Sequence, residues 1–337
     1  MPERVLALSK QVSAIATSRV EDIRKITRAA RILGLNAAIE GARSNNAGFG
    51  VVADEVGNMS GNIARLAEAL HDELSAKTVE LEELGQKLIA NIRGSRLADL
   101  ALNMIDIIDR NLYERSCDVR WWATDSAVVG CADQRSAAAS DLASARLGVI
   151  LDSYTVYLDL WITSADGTVL ANGRPQQYSV RGANVAGEEW FRRALGTRTG
   201  ADFVACDITR SKELGGAAVA AYATAVRAGG QVGGKIIGAL GIFFDWEAQS
   251  QLVVDSVRLA EGERAGTQCM IVNADHKIIA SNARTGSGKT FPLKTGARSI
   301  GSYVDADGSL IGFALTPGYE TYRGLGWYGV LAQSQAR

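Results

Sequence analysis

The amino-acid sequence predicts an α+β chain: an N-terminal antiparallel coiled-coil helical hairpin, then a long helix, then two antiparallel sheets. Three observations predict it. All six Trp and all nine Tyr lie after position 94, and only Phe49 represents the large rings before it. Apolar residues in the ring-poor part recur at three-four spacing, the period of a helix face. Two later segments share a strand, polar turn, strand design.

The hairpin follows from two apolar series. Val5, Leu8, Val12 and Ile15, then Ile23, Ile26, Ala30, Leu33 and Ala37, line one helix face as a coiled-coil seam. Ser44-Asn45-Asn46-Ala47-Gly48 is poor helix material and marks a reversal. The spacing resumes with Phe49, Val52, Val56, Met59, Ile63, Leu66 and Leu70, stutters at Leu74, and continues through Leu81, Leu84 and Leu88. Each arm of about 40 residues spans ~60 Å at the rise of an α-helix.

Arg93-Gly94-Ser95 combines a poor interior helix residue with a good cap, so a helix break is expected there. One helix is then expected from Leu97 to Leu151. Tyr157 to Ile162 reads as a strand leading through Ala165-Asp166-Gly167-Thr168 into a return strand, and Met270 to Ala280 repeats that plan. The expected divisions are 1–94 for the hairpin, 95–151 for the long helix, 152–254 for the first sheet unit and 255–337 for the second.

Composition narrows the function. With 47% hydrophobic residues, the chain has material for several cores. Lys plus Arg total 36 against 37 Asp plus Glu, so no bulk charge draws it to nucleic acid or an anionic membrane. Cys117, Cys131, Cys206 and Cys269 form no CxxC pair and read as reduced packing residues rather than metal ligands. Met1-Pro2-Glu3-Arg4 lacks the apolar run of a signal peptide, and the longest apolar-plus-glycine stretch, Ile236 to Phe244, is short of a membrane span. A cytoplasmic protein without direct membrane insertion is expected.

Enzymatic readings find little purchase. The two histidines, His71 and His276, supply neither a triad nor a metal site, and no cofactor is expected. Gly286-Ser287-Gly288-Lys289-Thr290, with Ala283 ahead of it, fits a permissive phosphate-binding loop. Phe291-Pro292-Leu293 follows it, however, and proline there opposes the helix that such a loop enters. Nucleotide hydrolysis is therefore the weakest alternative, and the chain is expected not to be an enzyme.

Leu35-Asn36-Ala37-Ala38-Ile39-Glu40-Gly41-Ala42-Arg43, followed by Gly48-Phe49-Gly50-Val51-Val52-Ala53-Asp54-Glu55-Val56, resembles the signalling tip of methyl-accepting chemotaxis proteins. The resemblance implies a homodimeric four-helix bundle, possible higher assembly, and docking to a CheA-type histidine kinase and a CheW-type adaptor. It places Ile32, Leu35, Asn36, Glu40, Arg43, Phe49 and Val52 at partner-facing positions. The arms leave no room for a HAMP relay or long methylation helices, and Glu82-Glu83 reads as a solvated face.

Leu112 to Asp125, with its Arg120-Trp121-Trp122, resembles the N-terminal helix of bacterial double Cache sensors, a PAS-like fold. Ala165-Asp166-Gly167, Trp190-Phe191, Gly238 to Asp245 and Thr316 to Trp327 are similar to successive elements of the two Cache units. The resemblance covers roughly 95–335 and implies a small-molecule ligand held against the first sheet. Tyr157, Trp161, Trp190, Phe191 and Tyr222 are candidate walls, and Asp202 or Asp245 would suit a cationic ligand. The reading is a soluble sensor that signals through the hairpin; the alternative is a scaffold that joins receptor arrays without controlling the kinase.

Overall fold

The structure, a computed structural model, describes residues 2–45, 47–283 and 288–334. The chain divides into two compact units, Met1–Arg93 and Gly94–Arg337.

The first unit is a pair of antiparallel helices, α1 (Pro2–Ser44) and the leading part of α2 (Ala47–Trp122). Asn45 takes a left-handed conformation at the reversal, with φ 50°. Arg24 of α1 lies 3.9 Å from Glu68 of α2. Gly34 faces Ala53 and Val56, and a Cβ on Gly41 would stand 2.9 Å from that of Phe49.

The expected seam is corrected here. Positions seven apart meet within the hairpin, but they are small or short: Val20, Thr27, Gly34 and Gly41 on α1, and Ala53, Ser60 and Ala67 on α2. Most of the bulky series assigned to that seam faces outward, with Leu66 71% exposed beside Ala67 at 3%, while Ile23, Val56 and Leu74 are half-buried. Small side chains win the intrachain contact because they let two backbones approach closely, which leucine and isoleucine prevent.

The expected break at Arg93-Gly94-Ser95 is absent, and α2 is continuous through it. Gly94 serves close approach instead, since a Cβ there would collide with the Ser302 side chain. The single helix expected to reach Leu151 is three helices: α2, α3 (Ser126–Gln134) and α4 (Ala137–Ser153). Asp125 caps α3 by accepting from Ala127 N at 2.8 Å, Arg135 closes it at φ 50°, and Ser136 caps α4 by accepting from Ala139 N at 3.2 Å.

Two antiparallel sheets follow. The first contains β1 (Tyr157–Ser164), β2 (Val169–Asn172), β3 (Val204–Ala205), β4 (Thr209–Ser211), β5 (Ala217–Arg227) and β6 (Ile236–Asp245) in the order β2-β1-β6-β5-β3, with β4 also on β5. Helix α5 (Glu189–Leu195) lies between β2 and β3 in the chain, and α6 (Trp246–Asp255) and the short α7 (Glu261–Arg264) lead onward. The second sheet holds β7 (Thr267–Val272), β8 (Ile278–Ser281), β9 (Ile300–Val304), β10 (Leu310–Leu315) and β11 (Tyr328–Gln333) in the order β8-β7-β11-β10-β9.

The two orders correspond strand for strand, and each opening hairpin carries a register shift at the same place, Ile162/Thr163 and Ile271/Val272. The repeat visible in sequence as one hairpin thus extends across whole sheets.

Within the second unit, Leu97, Ala101, Met104, Ile108, Leu112, Val119 and Trp122 bury one stripe of α2 at three-four spacing. Together with α3, α4 and residues from both sheets they form one core. Contact with the second sheet is very close: a Cβ on Gly312 of β10 would strike Leu97 and Ala98, and one on Gly329 of β11 would strike the Ala101 carbonyl.

Gly312→Val and Gly329→Val are each expected to cost about 1–3 kcal/mol or more through overpacking, measured by urea unfolding. Gly262→Ala, where a Cβ meets nothing within 4 Å, is the control and is expected to stay near wild type. Equal stability in all three variants would show that α2 is not seated on these glycines.

Candidate functional site

Alternation along the strands, with the register shift in β1 between Tyr157 and Asp159, sorts the proposed ligand walls onto opposite faces of the first sheet. Tyr157 and Tyr222 face the helices and belong to the core shared with α2. The Tyr157 hydroxyl donates to Asp118 at 2.5 Å, while Arg115 lies 3.2 Å from the same carboxylate and 5.1 Å above the Tyr157 ring. Tyr222 has its ring centroid 6.4 Å from that of Tyr322.

Trp161, Trp190 and Phe191 lie on the other face in a second cluster. Ring centroids are 4.2 Å apart for Trp161 and Phe243, 5.6 Å for Trp190 and Phe243, and 5.9 Å for Trp190 and Phe191. The Trp190 indole lies over Gly241, where a Cβ would come within 2.8 Å of the ring. These rings pack against each other, and Trp161, Trp190, Phe191 and Phe243 are all buried.

The two candidate acids stand apart from the rings. Asp202 sits in the loop after α5 and accepts from the amides of Arg198 and Thr199, each at 2.9 Å; the Thr199 amide bond holds its carboxyl below the ordinary value. Asp245 ends β6 and caps α6, accepting from Ala248 N at 3.3 Å. The seven residues therefore form no single lining: two face the helices, three the opposite face, and two cap loop or helix termini.

Sequence reasoning passed over Asp159, the acid inside the apolar β1. It is fully buried and accepts from Leu160 N, Trp161 Nε1, Asn172 Nδ2, Gly173 N and Arg174 N at 2.8 to 3.0 Å. Burial pushes its carboxyl up against the pull of these donors. An acid in an otherwise apolar strand was the available signal, and its role here is to tie the β1–β2 hairpin to the chain that follows. Phe243 was equally informative, since it fills the space beneath Trp161 and Trp190.

A cleft of 830 Å³ beside α6 includes the candidate Asp245. It is lined by Asp245, Trp246, Glu247, Ala248, Ser250, Gln251 and Asp255, with Arg210 and Ala218 from the first sheet and Ile279 to Ala283 from β8 and its exit. A shallower polar depression of 490 Å³ lies on the second sheet near Gln268, Ile311 and Ala332.

On the hairpin, Ile32, Leu35, Asn36, Glu40, Arg43, Phe49 and Val52 are all exposed. Ile32 and Leu35 border a groove of 580 Å³ floored by Gly34, Ala38, Ala53 and Gly57.

The phosphate-loop reading falls partly on Arg284 to Ser287, which lie outside the described residues. Gly288 to Thr290 pair with the start of β8, with Gly288 N donating to Ile278 O at 2.8 Å and Ile278 N to Lys289 O at 2.8 Å, where a phosphate loop would enter a helix. Among the described residues, no group of three His, Cys, Asp or Glu is placed to hold a metal, and no helix is long and apolar enough to cross a membrane. Cys131, Cys206 and Cys269 are buried as thiols, with burial pushing Cys206 and Cys269 up to about 11.

Asp109 is the buried carboxylate that joins α2 to the segment after β10. It accepts from Thr316 Oγ1 at 2.6 Å and Gly318 N at 2.8 Å, and burial raises it above its ordinary 3.8 despite both bonds. A carboxyl that titrates higher in the fold favours the fold when protonated. Its contribution is complete below 3.8 and is lost as pH rises through the raised value. In thermal melts from about pH 4 to about pH 7, the melting temperature of Asp109→Asn minus that of wild type is expected to become more positive with pH. A flat difference would contradict the assignment.

No protein-family model matches the chain, and no curated protein matches it. Solved structures do. The V. cholerae histidine kinase DctB sensor domain is 11% identical, with a TM-score of 0.53, over 74% of this chain and 99% of the other. The sensory domain of the Campylobacter jejuni chemoreceptor Tlp3 is 14% identical, with a TM-score of 0.53, over 72% and 93%. The periplasmic sensory domain of C. jejuni Tlp1 is 10% identical, with a TM-score of 0.50, over 72% and 94%. At such identities the likeness is one of fold, and the fold is that of sensor domains from chemoreceptors and histidine kinases.

Proposed function

We propose that the chain is a soluble, non-enzymatic signal-transduction protein of the cytoplasm, with a double Cache sensor in its second unit and a chemoreceptor-like hairpin in its first. A small molecule bound to the second unit biases the hairpin, which acts on a CheA-type kinase through a CheW-type adaptor. The observation that carries this reading is the sensor-domain fold joined to one uninterrupted helix. The same α2 that is buried among the sheets from Leu97 to Trp122 also forms an arm of the hairpin. A ligand shifts such a system only by binding two arrangements of α2 with different affinity.

The hairpin's occupant is a second copy of this chain. Val5, Leu8, Val12 and Ile15 on α1, and Leu66, Leu70, Leu81, Leu84 and Leu88 on α2, are exposed while the intrachain contact uses small residues. Such a long apolar surface needs a cover. A twofold pairing that lays one hairpin against another supplies a matching stripe of the same length.

In sedimentation velocity the full chain is expected as a dimer, and Leu66→Glu with Leu84→Glu is expected to shift it to monomer with unchanged helix content. A dimer that survives both charges would contradict this interface. For the sensory reading, a metabolite thermal-shift screen is expected to find a stabilising compound that also changes CheA-type kinase activity in the presence of chain and adaptor. Retention of the chain with kinase and adaptor but no response to any stabilising compound would mean a scaffold.

A further inference from the structure

The hairpin groove beside Ile32 and Leu35 continues away from the tip as a second stretch of 470 Å³, the two sharing Arg28, Arg31 and Gly57. Arg24, Arg28 and Arg31 of α1 wall this stretch on one side, and Gly57, Gly61 and Ala64 of α2 on the other. It lies opposite the bulky apolar stripe. At about 100° per residue, Gly57, Gly61 and Ala64 turn one way from the buried Ser60, and Met59, Ile63 and Leu66 turn the other.

Two features of this stretch are unexplained within one chain. Gly57 and Gly61 are poor interior residues for a helix, and a Cβ on either would meet nothing within 4 Å, so packing inside the chain does not call for them. Arg28 and Arg31 enter no ion pair among the described residues, whereas Arg24 lies 3.8 Å from Glu21 and 3.9 Å from Glu68. No acid lines the stretch.

The complement lies further along the same side of α2. Val79, 58% exposed, stands about five turns beyond Gly61, Glu82 about five turns beyond Ala64, and Asp72 about three turns beyond Gly61. Asp72, Glu82 and Glu83 enter no ion pair among the described residues. This face is therefore basic toward the tip and acidic toward the base.

That polarity selects an orientation. Parallel copies would gather the arginines of both at one height and the acids of both at another. Measured from the reversal at the helical rise, Gly57, Gly61, Arg28 and Arg31 lie about 15–25 Å away, and Asp72 to Glu83 about 40–55 Å. A twofold axis crossing the hairpin about 35 Å from the reversal exchanges the two zones.

We propose that this groove takes a second copy of the chain in antiparallel orientation. Val79 of each copy enters the gap over Gly57 and Gly61 of the other, and Arg28 and Arg31 fall between the other copy's Asp72 and Glu82. The contact uses the side opposite the stripe, so it goes beyond the dimer described above and joins such dimers into larger assemblies.

Sedimentation velocity of the full chain at about 20 mM and about 0.5 M salt tests it, because exposed ion pairs are screened as salt rises. At low salt the chain is expected to sediment as a species larger than a dimer, and in high salt to return to the dimer. Arg28→Glu with Arg31→Glu, and separately Asp72→Lys with Glu82→Lys, are each expected to lose the larger species. An equimolar mixture of those two variants is expected to regain it, since each reversed charge then meets its complement. Gly57→Gln with Gly61→Gln is expected to lose it by filling the groove, while the melting temperature rises through better helix propensity. A mass that does not grow as salt falls, growth indifferent to the charge reversals, or a mixture that fails to regain it would overturn the proposal. A dimer at both salt concentrations removes the groove contact and leaves the stripe. A monomer in high salt that pairs in low salt removes the stripe and leaves the groove contact.

Discussion

The second unit depends on how closely α2 lies against the second sheet. Backbone meets backbone at Gly312 and Gly329, where any side chain would strike Leu97, Ala98 or Ala101. That proximity lets the stripe from Leu97 to Trp122 join a core that also takes in the inner face of the first sheet. A helix fixed to both sheets in this way makes their relative position and its own position one variable. The Asp109 bonds to Thr316 and Gly318 and the Arg96–Glu263 ion pair at 2.5 Å fix its register. An edge-to-face contact of Tyr113 on Tyr319, centroids 5.3 Å apart, adds a third point of attachment.

The sheets share a topology but bury their outer faces differently. The first covers its face with the Trp161, Trp190 and Phe243 rings and α5, while the second uses Leu293, Phe313 and the half-buried Phe291. Between them, Asp207 accepts Trp327 Nε1 at 3.0 Å and Asn273 Nδ2 at 2.8 Å, and Trp246 packs edge-on against Trp327 with centroids 4.9 Å apart. The α6 cleft opens beside that joint.

Much of this was legible in residue patterns. Turn chemistry at Asp166-Gly167 located the first hairpin, and the Asp166 carboxylate does bind the turn, accepting from Ser164 Oγ and Thr168 N, bonds that hold it down to about 2. The helix ends at Trp122 and Gln134 were missed although Asp125 and Ser136, both good caps, stood in plain view, because apolar spacing continued across them. Glycine was misread twice. Gly94 looked like a helix stop and is a contact point, and Gly34 was overlooked in favour of bulky neighbours. Periodicity reports that a face is apolar but not which partner covers it. The intrachain contact went to the small residues, and most of the large ones stay exposed. The ligand walls failed to converge for a related reason: ring identity was visible, but which face each ring takes depends on the register shift between Tyr157 and Asp159.

The central claim is that α2 and the two sheets move as one body, so that whatever the sheets bind is felt along the helix. Hydrogen exchange measured by mass spectrometry on the full chain tests it most directly. Amides of Ala98–Trp122, β6 and β11 are expected to open with a common free energy and to lose protection together as denaturant is raised. A helix whose amides exchange well before those of both sheets would contradict the account.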